Sequence, residues 1–152
     1  MFLKIRFIPI AQVALVAMAM LAIQWLSPRM NIQGAANVPL FVIFSASGVA
    51  LVLIGVREFF RNNTTVSPVN PENTTHLVTS GIYSYSRNPM YVGFALCLLA
   101  WAALIGSYIS LVGLPVFIWY LTKHQIIPEE FALESKFGKS FIEYKNRVRR
   151  WI

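Results

Sequence analysis

Three long apolar runs divide the chain, at residues 7–26, 38–56 and 91–122, and the charged positions collect between and after them. A bilayer-crossing helix needs about 20 apolar residues to cover roughly 30 Å of hydrocarbon. The first two runs therefore each predict one spanning helix. The third covers 32 residues, too many for one crossing, and Gly106-Ser107 near its middle offers a tight turn between two spans. None of the runs contains a charge, as insertion requires, since one central Arg or Lys would cost about 2.5–3.5 kcal/mol. The predicted fold is all-α: a polytopic integral membrane protein with four transmembrane helices, the last two forming a C-terminal-half helical hairpin.

Between and after the spans the pattern changes. Residues 57–88 pass through Asn62-Asn63-Thr64-Thr65 and Ser67-Pro68-Val69-Asn70-Pro71, turn-forming residues without helical periodicity. In the tail, Leu133, Phe137, Phe141, Tyr144, Val148 and Trp151 recur at three- and four-residue spacing, with Lys136, Lys139, Lys145 and Arg149 elsewhere on the wheel. That predicts an interfacial C-terminal helix, interrupted at Gly138. The chain thus reads as a single membrane domain, 1–152: two anchor spans in 1–56, a cytoplasmic loop in 57–90, a helical hairpin in 91–122 and a cytoplasmic tail helix in 123–152. Ala46-Ser47-Gly48-Val49-Ala50 offers small residues for close helix approach, within this chain or toward another.

Composition supports the membrane assignment, with 57% apolar and only 12% charged residues among 152. Residues 1–26 start with Lys4 and Arg6 but continue apolar for longer than a signal-peptide core of roughly 7–15 residues, and no small-residue cleavage site follows. The segment is expected to stay attached. With the N-terminus inside, twelve of the 13 basic residues fall on the inner side and only Arg29 falls outside. The positive-inside rule then places both termini and the 57–90 loop in the cytoplasm of a prokaryotic inner membrane. Topology accounts for the net charge of +7, so anionic lipid headgroups are the expected partners and nucleic acid is not. Cys97 is the lone cysteine and lies in an apolar run, so neither a disulfide framework nor a metal site is expected.

Two clusters carry candidate chemistry. Residues 77–93, LVTSGIYSYSRNPMYVG, end where the hairpin enters the bilayer. A purely structural account exists: Asn88 suits an N-cap, Pro89 the first helical position, and Tyr83, Tyr85 and Tyr91 an aromatic belt. Functionally, a helix N-terminus beside Arg87 offers N–H groups and positive charge to an anion such as a carboxylate. The second cluster is Pro128-Glu129-Glu130. Pro128 starting a helix with two acids in its first turn would complement the macrodipole. Yet two of only six acids sit together here, where carboxylates would hold an ammonium, ribose hydroxyls or a sulfonium. His76 and His124 are isolated and read as solvated or hydrogen-bonded rather than catalytic.

Taken in order, residues 77–93 followed by Glu129-Glu130, Leu133, Phe137-Gly138, Phe141, Tyr144 and Val148 resemble the core of isoprenylcysteine carboxyl methyltransferases and the related phospholipid methyltransferases. The resemblance covers residues 75–152. It implies methyl transfer from S-adenosyl-L-methionine to a small lipophilic acceptor, prenylcysteine-like, lipid or other, at the cytoplasmic face. It also implies that Thr75, His76, Leu77, Val78, Tyr83, Asn88, Pro89, Met90 and Tyr91 line the cofactor, with Glu129 and Glu130 closing the site. Arg87 and Gln125 are the substrate-side candidates. The chain departs from the pattern at Asn88, where the family has a histidine, and at Gln125, where prenylcysteine enzymes hold an arginine for the substrate carboxylate. Methyl displacement needs chiefly in-line alignment in a dry site, so no catalytic acid or base need show in the sequence. Four spans leave no room for a dinucleotide-binding domain, and no G-x-G-x-x-G is present. Two other readings remain at this stage: a nicotinamide-dependent isoprenoid or sterol-type reductase, and a non-enzymatic small membrane transporter.

Overall fold

Small residues decide how the helices meet. The computed structural model describes residues 9–26, 37–62 and 76–152, which are helical with no strand among them. Helix α1 is Pro9–Leu26, α2 is Asn37–Arg61 and α3 is Pro89–Ile105. At the crossing of α2 and α3, a Cβ added to Gly93 would lie 2.6 Å from the Gly48 carbonyl oxygen. A Cβ on Gly48 would lie 2.7 Å from the Gly93 oxygen and 2.8 Å from Cys97 Sγ. The two backbones touch only because both positions lack a side chain. The small-residue stretch around Gly48 is therefore used within the chain, and Gly55, two turns on, makes room for Met90.

Helix α1 packs on the other side of α3. The Trp101 indole donates to the Ala17 carbonyl at 3.0 Å, and the buried Ser110 hydroxyl donates to that of Met20 at 2.9 Å. Met20, Tyr91, Leu98, Ala102, Phe117, Leu121 and Ile126 form the shared core. The outer faces are apolar and exposed, including Ile10, Leu15 and Met18 on α1 and Val42, Ile43 and Leu53 on α2. Surface of that kind is suited to lipid or a partner. Pro9–Leu26 and Val38–Arg61 are long and apolar enough to cross a membrane, whereas α3 is apolar but shorter. Helix α2 continues past the expected end at Val56 to Arg61, so residues 57–61 of the expected loop are helical.

The hairpin turn falls where the sequence places it. Helix α3 ends at Gly106, whose φ of 64° is left-handed and whose N–H donates to the Ala102 carbonyl. A 3₁₀ turn, Ile109–Val112, leads into α4, Gly113–Leu121. The fourth helix does not stop at Thr122, contrary to the predicted division. It passes through a π-helical segment, Thr122–Ile126, into α5, Ile127–Phe137. Pro128 supplies the reason, having no N–H to donate and a ring that crowds the preceding turn. The widened turn relieves that crowding, and the Ile127 N–H reaches back five residues to the Thr122 carbonyl. Glu129 and Glu130 thus sit within a continuous helical rod rather than at a free N-terminus, which removes the macrodipole explanation for them.

Gly138, at φ 53°, separates α5 from α6, Lys139–Arg147. Phe141, Tyr144 and Val148 are buried, with Leu77, Leu133 and Phe137 packed against them. Part of the apolar stripe, Phe141, Tyr144 and Val148, is thus covered by the protein itself, while Leu133 and Phe137 are half-buried. Trp151 leaves the stripe and packs on the core of the apolar helices.

Candidate functional site

The two sequence clusters meet at one place. Tyr91, near the start of α3, donates its hydroxyl to Glu129 in α5, at 3.0 Å to Oε1 and 3.2 Å to Oε2, across 38 residues of sequence. Gln125, buried in the π segment, donates its amide to the same Glu129 Oε1. Gln125 and Glu129, four residues apart along the rod, thus lie on one face and touch.

Glu130 is the better neutralised of the two acids. Arg150 grips it with Nε to Oε1 at 2.9 Å and Nη2 to Oε2 at 2.8 Å, a two-point ion pair. Arg87 Nη1 lies 3.0 Å from Glu130 Oε1. The hydrogen bond from Arg150 to Glu130 raises the Arg150 pKa. Burial lowers that of Arg87, and Arg150 adds to the effect while Glu130 opposes it. The charge that was expected to meet an incoming carboxylate at the α3 N-terminus is thus answered by Glu130.

Tyr83 forms the third part of the site. It lies in a 3₁₀ turn, Gly81–Ser84, and packs edge-on against Phe59 of α2, with ring centroids 5.3 Å apart. Its carbonyl accepts the Tyr144 hydroxyl at 2.7 Å. Its own hydroxyl is buried and has no hydrogen-bond partner among the described residues. Burial, and then the potentials of Tyr144, Glu129 and Glu58, push the Tyr83 pKa well above its ordinary value. It therefore remains a protonated donor.

The remaining predicted residues are dispersed. Val78 and Pro89 are buried, and Met90 is half-buried against Gly55. His76 is exposed, while Leu77 serves the α5–α6 cluster. Thr75 lies outside the described residues. Asn88 departs from the N-cap role expected of it: its side chain makes no cap, and its amide donates instead to the Arg150 carbonyl at 2.9 Å. His124 stacks on Tyr120 and hydrogen-bonds that residue's carbonyl.

Sequence reasoning passed over Glu58, an acid in the last turn of α2 that is only 7% exposed. Ser80 Oγ and Arg61 Nη1 approach it at 3.4 and 3.3 Å. Gly81, at φ 59°, lies so close that a Cβ there would stand 2.6 Å from the Glu58 carboxyl carbon. The available signal was an acid immediately following a span, on the side where the motif loop returns. Arg150 was passed over too, and Tyr144 reads only as part of the tail stripe and of the family resemblance, because each finds its partner at least 20 residues away.

Comparison with known proteins bears on the family rather than on the site geometry. The family model described as "Phospholipid methyltransferase" matches residues 36–140. The protein-S-isoprenylcysteine O-methyltransferase of Schizosaccharomyces pombe is 30% identical over 118 residues, covering 72% of this chain and 49% of the relative. The human protein of that name is 34% identical over 80 residues, covering 52% of this chain and 28% of the relative. An uncharacterized Haemophilus influenzae protein is 43% identical over 63 residues, 41% of this chain and all of the relative. The chain thus spans about half or less of the named methyltransferases it matches. No solved structure matches.

Proposed function

We propose, from the fact that this chain belongs to the phospholipid methyltransferase family, that it transfers a methyl group from S-adenosyl-L-methionine to a small lipophilic acceptor at a membrane surface. The observation that carries this reading is the Tyr91–Glu129 hydrogen bond, which joins the two motifs into one site. When bound, S-adenosylmethionine supplies a methyl group activated on a sulfonium sulfur. Glu129 would hold the cationic end of that molecule, since a carboxylate in a poorly solvated site attracts a cation more strongly than one in water. Tyr91 and Gln125 orient Glu129. The unpartnered Tyr83 hydroxyl would donate to a ribose or carboxylate oxygen, and its burial satisfies the fit that a polar ligand requires. Val78, Pro89 and Met90 would exclude water, with His76 and Leu77 at the entrance.

Gln125 is neutral where prenylcysteine enzymes hold an arginine, and the charge of Arg87 is engaged by Glu130. The acceptor this favours is a neutral lipophilic nucleophile that enters from the bilayer. The family match and the named relatives favour methyl transfer over the reductase and the transporter. Four spans are proposed, formed by α1, α2, α3 and the α4 rod, with both termini on the cytoplasmic side of a prokaryotic inner membrane. The basic residues support that orientation.

Calorimetric titration of the purified protein with S-adenosylhomocysteine tests the reading. Glu129→Ala and Tyr91→Phe should weaken binding by about tenfold or more, the scale of losing a hydrogen bond to a charged group. Absence of binding to the unmodified protein in several detergents would end the proposal.

A further inference from the structure

The last five residues run between the two motifs and touch both. The Arg87 N–H donates to the Arg149 carbonyl at 3.0 Å, and the Asn88 amide donates to that of Arg150 at 2.9 Å, pairing segment 87–88 with 149–150. From the same segment the Arg150 side chain reaches the other way and grips Glu130 with two bonds. Both ends of this strap are anchored. Val148 is buried in the α5–α6 cluster. Trp151 packs on the helix core and donates its indole N–H to Thr122 Oγ1, at the start of the π segment, at 3.2 Å.

We infer that Arg150 is a positioning residue that holds the start of α3 against α5 and thereby sets the Tyr91–Glu129 pair. Tyr91 lies three residues beyond Asn88, and Glu129 is adjacent to Glu130. A change in the separation of Asn88 from Glu130 therefore becomes a change in the separation of Tyr91 from Glu129. The strap bridges the first gap, with its backbone on Asn88 and its guanidinium on Glu130. In this division of labour Glu129 and Tyr91 face the ligand, while Glu130 and Asn88 hold the frame. The departure from the family's histidine at position 88 fits that role, because an asparagine amide is a well-shaped donor to a backbone carbonyl.

The inference rests on the cofactor reading above, and the experiment separates the two. In the full-length protein, Arg150→Gln should weaken S-adenosylhomocysteine binding by about tenfold to a hundredfold, the scale on which misplacement by an ångström is felt. The Arg150 side chain is 34% exposed, so added guanidinium ion should enter the vacated space and recover part of the affinity. Arg150→Lys should recover less, since an ammonium lacks the planar fork. Unchanged affinity in Arg150→Gln would overturn the inference. So would a loss that accompanies a lowered melting temperature and that neither guanidinium nor lysine restores, since that marks a purely structural role. If the unmodified protein binds no S-adenosylhomocysteine, the cofactor reading fails and hydrogen exchange decides the strap. The amides of Arg87, Tyr91 and Val92 should then exchange faster in Arg150→Gln, and exchange at the unmodified rate would overturn it.

Discussion

At the scale of single residues, glycines and acids carry the most weight. Gly93 has no room to grow, because the first atoms a new Cβ would meet are the Gly48 carbonyl oxygen and Val52 Cγ2, at 2.6 and 2.7 Å. A backbone oxygen cannot swing aside as a flexible side chain can. Gly93→Ala should therefore push α2 from α3 and cost about 1–3 kcal/mol, the range of overpacked cores. Thermal unfolding in detergent would show a lowered midpoint, and an unchanged midpoint would mean that the crossing is looser than it stands here. The paired acids teach a different lesson. Glu129 and Glu130 are chemically identical, yet one accepts from a phenol and an amide, while the other accepts two bonds from the Arg150 guanidinium and has the Arg87 charge beside it. Their environments, rather than their type, assign them different work.

At the scale of elements, the docking of α6 on the 81–84 turn depends on one hydrogen bond from Tyr144 to the Tyr83 carbonyl. Burial raises the pKa of both phenols above the ordinary value, with Arg87 and Arg147 partly opposing it at Tyr144. A raised folded pKa means that the folded state holds its protons more tightly than the unfolded chain. That stability is fully present below about pH 10, where a free tyrosine begins to ionise. It is lost as pH climbs toward the folded value, because unfolding then releases protons. Melting temperature measured against pH should accordingly fall above about pH 10. With Tyr144→Phe the fall should be shallower, and equal slopes would show that Tyr144 contributes nothing to it. The π segment is the other element of consequence, since the widened turn before Pro128 keeps the helix continuous from α4 into α5, which carries Gln125 and Glu129 on one rod.

At the scale of the molecule, the proposed orientation rests on charge, and the face on which the proposed site opens rests on that orientation. Twelve basic residues on one side against Arg29 on the other predict cytoplasmic termini. A reporter cysteine introduced as Ser140→Cys should react with a membrane-impermeant reagent only when the cytoplasmic face is open. One introduced as Tyr108→Cys, near the hairpin turn, should react only from the opposite side. The reverse pattern would invert the proposed topology and with it the face on which the site opens.

Sequence alone determined the properties that are local along the chain. Apolar run length and the absence of charge locate the apolar helices before any contact forms, though not the ends of α2 and α4, and the Gly106 turn, the Gly138 break and the ordered family motifs lie in contiguous residues. Tertiary structure decided which distant side chains share a partner. Asn88 reads as a cap until the strap reaches it from 62 residues away. The tail stripe reads as one face of an amphipathic helix, and only packing shows Leu77 returning from far away to meet it. Glu58 and Arg150 stand alone in sequence, Tyr144 reads only as one member of the tail stripe and of the family resemblance, and all three reach the site through packing. The physical reason is that a side chain's first choice, cap, belt or solvated charge, is set by its neighbours in sequence, whereas its final partner is set by the helix crossings. Those crossings depend on close approaches such as Gly48 on Gly93, and sequence spacing does not record them.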